Sequence, residues 1–269
     1  MRIAVIVTTY NRPDALAAVL AGYQAQGDRD FELLVADDGS SRETRDVVES
    51  WQSQAHFKLR HVWQEDRGFR AAAIRNRAIA ATTADYIVFT DGDCIPSRHF
   101  VARHRALAER GWFVAGNRIL LCKDFSRRVL EQQLPLHAWR TSDWFIAWLK
   151  RDINRWLPLI ALGGGTFRKR APTRWEGIKT CNLAVWRDDL IRVNGLDESY
   201  TGWGLEDSDL VIRLLHAGVR HKSGRFATPL FHLWHAENDR SGLTDNRRRL
   251  DAILHSQHIF AARGINQYL

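Results

Sequence analysis

The sequence predicts an α/β fold in which a mostly parallel, Rossmann-like sheet carries helices on both faces. Three observations predict it: short β-branched runs, longer segments with helical spacing between them, and polar clusters directly after the runs. Continuous apolar runs that alternate with helices are typical of parallel strands buried on both faces. With 269 residues and 45% hydrophobic content the chain can bury a substantial core, so we expect a single domain over residues 1–269.

The first 120 residues contain the alternating elements in order. Strands are predicted at 3–7, 31–36, 58–63 and 86–90, and helices at 14–24, 43–52 and 71–81. In the first helix Leu16, Val19 and Leu20 share one face, and Pro13 suits its first turn.

The alternation breaks down after about residue 120. Segment 139–162 has basic residues on some faces and a stripe of apolar residues at helical spacing. The stripe consists of Phe145, Trp148, Leu149, Ile153, Trp156 and Ile160. Such a basic amphipathic helix suits an anionic membrane surface, and packing of its apolar stripe on the core is the alternative. The glycines at 163–165 and the basic cluster at 168–170 predict a mobile loop, and a further strand is expected within 177–185.

Charge and cysteine content limit the class of protein. A net charge of +8 and a pI near 9.8 predict attraction to an anionic partner, which nucleic acid, phosphorylated small molecules and acidic lipids all satisfy. Cys94, Cys122 and Cys181 are odd in number and form no CxxC pair, so we expect neither a disulfide framework nor a structural zinc site, and a reducing cytoplasm. No apolar run is long enough to predict a membrane span.

Polar residues follow three of the predicted strands, at 8–11, 37–40 and 91–93. Ligands of open α/β sheets bind at the carboxyl ends of strands, whereas turn formation explains each cluster taken alone. Their recurrence at one edge favours a ligand site. Asp91 and Asp93, separated by one flexible residue, suit a hard divalent cation that bridges to substrate phosphates.

The HLWH segment at residues 232–235 offers a nitrogen ligand for the same cation. In a strand, residues three apart face opposite sides, so only one of His232 and His235 is expected to point into the site. A histidine nitrogen beside carboxylate oxygens shifts the preference from Mg²⁺ toward Mn²⁺, and a packed polar histidine is the alternative. No GxGxxG follows the first strand, which argues against a dinucleotide-dependent dehydrogenase.

Seven sequence motifs occur in one order along the chain: TTYNRP, VADDGS, RGFRAAAIRN, FTDGDCIP, TCNLAVWR, GLDESYTGWGLEDSDLVIRL and HLWH. Together they resemble an inverting GT-A glycosyltransferase of family 2, of the bacterial branch whose C-terminal half is similar to galactosyltransferases of the GWGxED type. The resemblance covers about residues 2–240 and leaves about 124–175 without a matching motif. It implies a nucleotide-sugar-binding half at 1–120 and an acceptor-binding, catalytic-base half at 121–269, the latter irregular.

The resemblance also implies roles for individual residues. The nucleotide contacts it implies are Thr8, Tyr10, Arg12, Asp38, Gly68, Arg70, Asn76, Asp91 and Gly92. The metal would be held by Asp93 directly, by Asp91, and by His235 with His232 as the second choice.

On the acceptor side, the implied contacts to acceptor or sugar are Asn182, Trp203, Gly204 and Glu206. Asp207 would be the general base, and Glu206 would bond sugar or acceptor hydroxyls. Asp209 lies four residues before Arg213, and an ion pair along the helix is its simplest explanation.

These residues predict a metal-dependent inverting transfer of a hexose or N-acetylhexosamine from a nucleotide sugar, UDP-linked first. The expected acceptor is a hydroxyl of a bacterial glycan or lipid-linked glycan in polysaccharide or lipopolysaccharide biosynthesis, and the expected cofactor is Mn²⁺ or Mg²⁺. We expect a cytoplasmic protein at the inner face of the plasma membrane, with peripheral contact to anionic lipid through 139–162 and no contact with nucleic acid. Donor sugar, acceptor and linkage depend on the unmatched segment.

Two other classes are compatible with parts of the pattern. Glu206 with another acid suits a glycoside hydrolase, but the metal-type pair Asp91 and Asp93 argues against one. A basic module for nucleic acid or membrane explains the charge, but it leaves the acids at the strand ends unexplained.

Overall fold

The computed structural model describes residues 1–236 and 242–269, so residues 237–240 of the resemblance lie outside it. Within these ranges the strands are β1 Ile3–Thr9, β2 Phe31–Asp37, β3 Lys58–Trp63, β4 Tyr86–Asp91, β5 Cys94–Pro96, β6 Trp112–Ala115, β7 Asn117–Leu120, β8 Asn182–Trp186, β9 Arg220–Ser223 and β10 Pro229–His232. The α-helices are α1 Pro13–Gln24, α2 Arg42–Gln52, α3 Ala71–Ala80, α4 Phe100–Leu107, α5 Lys123–Glu131, α6 Thr141–Leu149, α7 Arg187–Arg192, α8 Glu206–His216 and α9 Leu243–Leu254.

The main sheet has seven strands in the order β3-β2-β1-β4-β8-β6-β9. β1 is parallel to β2 and β4, and β2 is parallel to β3. β8 runs against both β4 and β6, while β9 is parallel to β6. Six strands of this sheet therefore point the same way, which confirms the predicted mostly parallel sheet and joins strands from both halves of the chain.

Both faces of the main sheet are covered. Along β1, Ile3, Val5 and Val7 pack into one apolar cluster with residues of α1, whereas Ala4 and Ile6 pack into another with residues of α3 and α8. A central strand with two buried faces needs apolar side chains at every position, and this explains the unbroken run at its start.

A second sheet of three strands, β5-β10-β7, stands at the carboxyl end of β4. β4 ends at Asp91 and β5 begins at Cys94, so the turn between them carries Gly92 and Asp93. A Cβ at Gly92 would lie 2.8 Å from the Thr9 side chain, and this close approach requires glycine. The turn thereby delivers Asp93 to the edge where the two sheets meet.

The expectation of a single helix over residues 139–162 is wrong. α6 ends at Leu149, and Arg151 has a φ of 61°, a left-handed conformation that an α-helix cannot continue through. The chain then turns back so that Ile153 pairs with Leu121. Trp144 and Ala147, which lie outside the predicted stripe, pack into the core together with one member of it, Ile153.

The expected mobile loop after this segment is tethered by a buried side chain. Arg168 is 1% exposed, and its guanidinium donates to the carbonyl oxygens of Leu162, Gly163, Ser223 and Arg225. Buried cations need such acceptors, so Arg168 of the basic cluster serves here as an anchor. No helix among the described residues is both long enough and apolar enough to cross a bilayer.

Candidate active site

An open cleft of about 650 Å³ lies at the carboxyl ends of β1 and β4 and against the second sheet. The residues predicted for the site that line it are Thr8, Tyr10, Arg12, Asp38, Asp91, Gly92, Asp93, Trp203, Gly204, Glu206, Asp207, His232 and His235. Both halves of the chain thus contribute to one cleft.

The two acids that follow β2 have different partners. Asp37 accepts from the backbone N–H of Ser40 at 2.8 Å and lies 2.9 Å from Nε2 of His61, so it shapes the turn. Asp38 lines the cleft and accepts from the Arg70 backbone N–H at 2.7 Å and from the Gln64 amide at 2.5 Å. Burial raises the pKa of Asp38, while these bonds oppose the rise.

Arg75 on α3 links carboxylates from both halves of the chain and is 5% exposed. Its Nη2 lies 3.2 Å from Asp91 and its Nη1 lies 3.4 Å from Glu206 and 3.9 Å from Asp207. Its Nε also donates to the Thr8 hydroxyl at 3.0 Å. One guanidinium therefore lies among three buried or half-buried acids at the base of the cleft.

Glu206 and Asp207 open helix α8, directly after Leu205, which has a φ of 76°. Asp207 accepts from the Thr180 hydroxyl at 2.5 Å, which fixes its carboxylate toward the cleft. Oε2 of Glu206 is buried without a hydrogen-bond partner among the described residues. Burial and the nearby charge of Asp207 raise the pKa of Glu206 to about 7, and Arg75 opposes the rise.

Asp91 and Asp93 of the DGD turn point to different neighbours. Burial raises the pKa of Asp91 to about 6, and the nearby Arg75 charge opposes the rise. Asp93 instead lies 3.5 Å from Nε2 of His232 and 3.5 Å from Nε2 of His235. The expectation that only one imidazole points inward is wrong, because β10 ends at His232 and strand alternation does not extend to His235.

Two predicted contacts are corrected because their side chains are committed elsewhere. Asn76 is fully buried and donates to Leu196 O and Glu198, each at 2.8 Å, away from the cleft. Asn182 donates to the carbonyl oxygens of Asn117 and Thr228 beneath the second sheet.

Two further predicted residues lie beside the cleft. Gly68 is in an exposed turn, and Arg70 reaches the site through its backbone N–H, with its guanidinium on the Glu65 carbonyl.

Several residues of the cleft lie outside the set that the motif resemblance implies. Among them is Arg75, which neighbours Asn76 in sequence. Ala71 also lines the cleft and lies one helical turn before Arg75, so the facing side of α3 contains position 75 rather than 76. Thr180, Arg118 and Lys179 also line the cleft, and nothing in their sequence context distinguishes them from structural residues.

The predicted ion pair of Asp209 is confirmed and is fully buried. Arg213 Nη2 lies 2.6 Å from Asp209, and Arg213 also donates to Val193 O at 2.6 Å. Tyr200 donates to the other oxygen of Asp209 at 3.4 Å. The third acid of the EDSD segment therefore holds α8 in place, while the first two face the cleft.

Comparison with known proteins places the chain among sugar transferases. Residues 4–169 match the family described as glycosyl transferase family 2, and residues 166–236 match the one described as the N-terminal domain of galactosyltransferase. Validoxylamine A glucosyltransferase of Streptomyces hygroscopicus subsp. limoneus is 31% identical over 231 residues, covering 81% of this chain and 48% of the relative. Chondroitin synthase of Escherichia coli is 25% identical over 245 residues, covering 82% and 33%. The chain thus spans about half or less of these two relatives.

Solved structures share the fold. The mannosyltransferase PcManGT from Pyrobaculum calidifontis, in complex with GDP-Man and Mn²⁺, has a TM-score of 0.61 at 21% identity, covering 92% of this chain and 60% of its own. S. aureus TarS 1-349 in complex with UDP-GlcNAc has a TM-score of 0.61 at 13% identity, covering 100% and 69%. The architecture is the GT-A fold.

Proposed function

The chain belongs to glycosyl transferase family 2, and from this membership we propose that it transfers a hexose or N-acetylhexosamine from a nucleotide sugar to a hydroxyl of a bacterial glycan or glycolipid, with inversion. The observation that carries the proposal is the meeting of two groups in one cleft. Asp93 with two imidazoles lies on one side, and Glu206 with Asp207 lies on the other. Neither a hydrolase nor a basic binding module accounts for both groups together.

The residues around Asp93 fit a divalent cation. A carboxylate with two imidazole nitrogens at 3.5 Å is a mixed oxygen and nitrogen donor set, which favours Mn²⁺ over Mg²⁺. Asp93 is the primary ligand in this proposal with His235 and His232, and Asp91 is secondary because Arg75 already pairs with it. When bound, the ion would neutralise charge that develops on the departing diphosphate.

Asp207 is proposed as the general base. The acceptor hydroxyl would lose its proton to this carboxylate while its oxygen forms a bond to the anomeric carbon. The bond from that carbon to the diphosphate oxygen breaks on the opposite face, so configuration inverts in one step without a covalent intermediate. The unpartnered oxygen of Glu206 would accept a hydrogen bond from a sugar or acceptor hydroxyl, which removes the cost of leaving it buried and unpaired.

The nucleotide would occupy the part of the cleft lined by Thr8, Tyr10 and Asp38. Asp38 offers a carboxylate to the ribose or base, and Tyr10, which is 50% exposed, offers an aromatic face. The nucleotides held by the solved neighbours support a nucleoside diphosphate sugar, and we propose UDP first.

The test is binding followed by turnover. UDP with Mn²⁺ at about 100 times its Kd should stabilise the fold by about 2.7 kcal/mol, seen as a rise in melting temperature. A screen of nucleotide sugars should then show Mn²⁺-dependent release of the nucleotide, and NMR of the product should show inverted anomeric configuration. Absence of any shift with every nucleoside diphosphate would refute the proposal.

We also infer a peripheral contact with anionic membrane, at the inner face of the plasma membrane. We call the exposed apolar side chains of segment 139–162 the tryptophan patch, which consists of Phe145, Ile146, Trp148, Leu149, Leu157, Ile160 and Leu162. They are seven of the fifteen large apolar residues that are exposed in the described part of the chain. Lys150, Arg151 and Arg155 are exposed beside them, and an apolar surface with adjacent cations suits anionic lipid.

The segment that carries the tryptophan patch meets the cleft, because Asn154 accepts from the backbone N–H of Leu120, which lines the cleft. A lipid-linked acceptor in the same bilayer would thus be held close to Asp207. Sedimentation with vesicles of phosphatidylserine and phosphatidylcholine should show binding that falls with salt.

A matched pair of variants separates the patch from general surface hydrophobicity. Leu149→Ser, at a side chain 61% exposed, should weaken vesicle binding, whereas Phe260→Ser, 56% exposed and outside the patch, should not. Equal effects of the two variants, or no binding of the wild-type protein at low salt, would contradict the inferred contact.

A further inference from the structure

Cys94 places a sulfur atom beside the carboxylate of Asp93. Its Sγ lies 3.5 Å from Asp93 Oδ1, and the same oxygen lies 3.5 Å from Nε2 of His232. The ligand atoms of Asp93, Cys94 and His232 all lie within 4.8 Å of one another. Sulfur is a soft donor. Cys94 is fully buried and packs into the apolar core, and the proposed transfer gives its sulfur no role.

Strand register explains why these groups meet. In the antiparallel pair of β10 and β5, His232 stands opposite Cys94, so both side chains project from the same face. Asp93 precedes Cys94 in the turn from β4. Strand pairing and the turn therefore position the three donor side chains.

The separations between these donor atoms suit tetrahedral coordination of a metal ion. Zinc bonds of about 2.0–2.3 Å to oxygen, nitrogen and sulfur give tetrahedron edges of about 3.3–3.7 Å. The two separations of 3.5 Å from Asp93 fall within that interval, and the remaining separation requires a contraction of roughly 1 Å at most.

His235, which lies outside this three-residue group, would supply a fourth donor. Its Nε2 lies 3.5 Å from the other oxygen of Asp93, and its Nδ1 lies 2.6 Å from the carbonyl oxygen of Ala236. Since a carbonyl only accepts, that contact puts the proton on Nδ1 and leaves the lone pair of Nε2 facing the cluster.

We propose that Asp93, Cys94, His232 and His235 form a thiophilic cation site that closes around Zn²⁺ and thereby competes with the open, mixed oxygen and nitrogen coordination of the catalytic cation. This rests on the proposed function only for its consequence, the inhibition of transfer. Four protein donors leave no position for a diphosphate oxygen, whereas an ion bound without the thiol keeps one. On coordination the S–H bond breaks, a zinc–sulfur bond forms, and one proton passes to solvent.

Binding of Co²⁺ gives a direct spectroscopic signal for coordination by the sulfur of Cys94. Titration of the purified protein with Co²⁺ should produce near-ultraviolet sulfur-to-cobalt charge-transfer absorption, and Zn²⁺ should displace it. Cys94→Ser and Cys94→Ala should both lack the absorption, with folding checked by circular dichroism. The matched control is Cys122→Ser, at a thiol outside the donor cluster, and it should retain the absorption.

Enzyme assays test the consequence. Zn²⁺ should inhibit the Mn²⁺-dependent reaction of the wild-type protein, and the concentration for half inhibition should rise at least about 10-fold in Cys94→Ser, each variant being compared with its own zinc-free rate. Absorption that persists in Cys94→Ser, or its absence in the wild type, would overturn the site. A protein that shows the absorption but transfers no sugar would refute the proposed function and leave the site standing.

Discussion

Asp91 and Asp93 are separated by one glycine, yet they belong to two different regions of the cleft. Asp91 lies on the side of Arg75, Glu206 and Asp207, where several acids share one buried guanidinium. Asp93 lies on the side of the second sheet, where imidazole and thiol groups surround it. The region around Arg75 already holds a buried cation among its acids, whereas the region around Asp93 is a set of ligands.

This difference shows that a DxD pair need not act as one unit. A carboxylate already paired with a buried cation gains less from binding a metal than a carboxylate beside neutral donors. The acids near Arg75 are therefore suited to proton transfer and to fixing the two halves of the chain together. The acid near the histidines is suited to holding a cation.

The sharpest test of the division is Asp207→Asn. Without the carboxylate, kcat should fall by about 10²–10⁴, while binding of UDP and Mn²⁺ should stay within about twofold because the cation region is untouched. Steady-state kinetics and calorimetry measure the two effects. Full activity in this variant would mean that another group takes the proton.

Removing the buried positive charge of Arg75 should destabilise the fold. Arg75→Met leaves the carboxylates of Asp91, Glu206 and Asp207 without their shared partner, and breaking a buried pair costs about 3–5 kcal/mol. Urea unfolding measures the change in the free energy of unfolding.

The matched control for that variant is Arg67→Met, which removes an exposed arginine paired with Glu65. It should change stability by less than about 1 kcal/mol, as surface pairs do. If the two variants were equally stable, Arg75 would not hold the two halves together.

A paired substitution tests the two acids of the turn directly. Asp93→Asn should weaken Mn²⁺ binding at least about 10–100-fold, and Asp91→Asn should weaken it less, because Arg75 already occupies the Asp91 carboxylate. Manganese titration followed by electron paramagnetic resonance gives both affinities. Equal losses would show that the DxD pair acts as one ligand after all.

The smallest effect is a pH dependence from Glu206. Its pKa of about 7 in the folded chain is above the ordinary 4.5, so between these values the folded protein holds a proton that the unfolded chain has lost. The free energy of unfolding should therefore fall as pH rises through that window. In Glu206→Gln this fall should be smaller. Each kcal/mol of difference between the two proteins should appear as roughly 2–4 °C in melting temperature. A melting profile with the same pH slope in both proteins would contradict the assignment.

Local pattern predicted much of the fold and part of the site. The first four strands begin at the predicted residues and end within two of them, since an unbroken apolar run is a local property of a strand buried on both faces. The strand ends then identified Asp38, Asp91 and Asp93. Helix spacing alone also separated Asp209, which pairs with Arg213 one turn later, from the acids before it.

Other features depended on contacts that no local pattern contains. Arg75 meets Glu206 across 131 positions of sequence, and Thr180 meets Asp207 across 27. Segment 139–162 carries helical spacing, but its pairing with Leu121 ends the helix early. Tertiary packing outweighs such periodicity because burying Ile153 gains more than continuing an exposed helix.

The sequence by itself determined which residue types reach the cleft's edge: acids after β4, acids at the start of α8 and histidines at the end of β10. Only the tertiary structure decided their partners, giving Arg75 to Asp91 and the histidines with Cys94 to Asp93. The physical reason is that alternation and helical spacing fix the direction of a side chain within its own element. The register between elements fixes what it meets there.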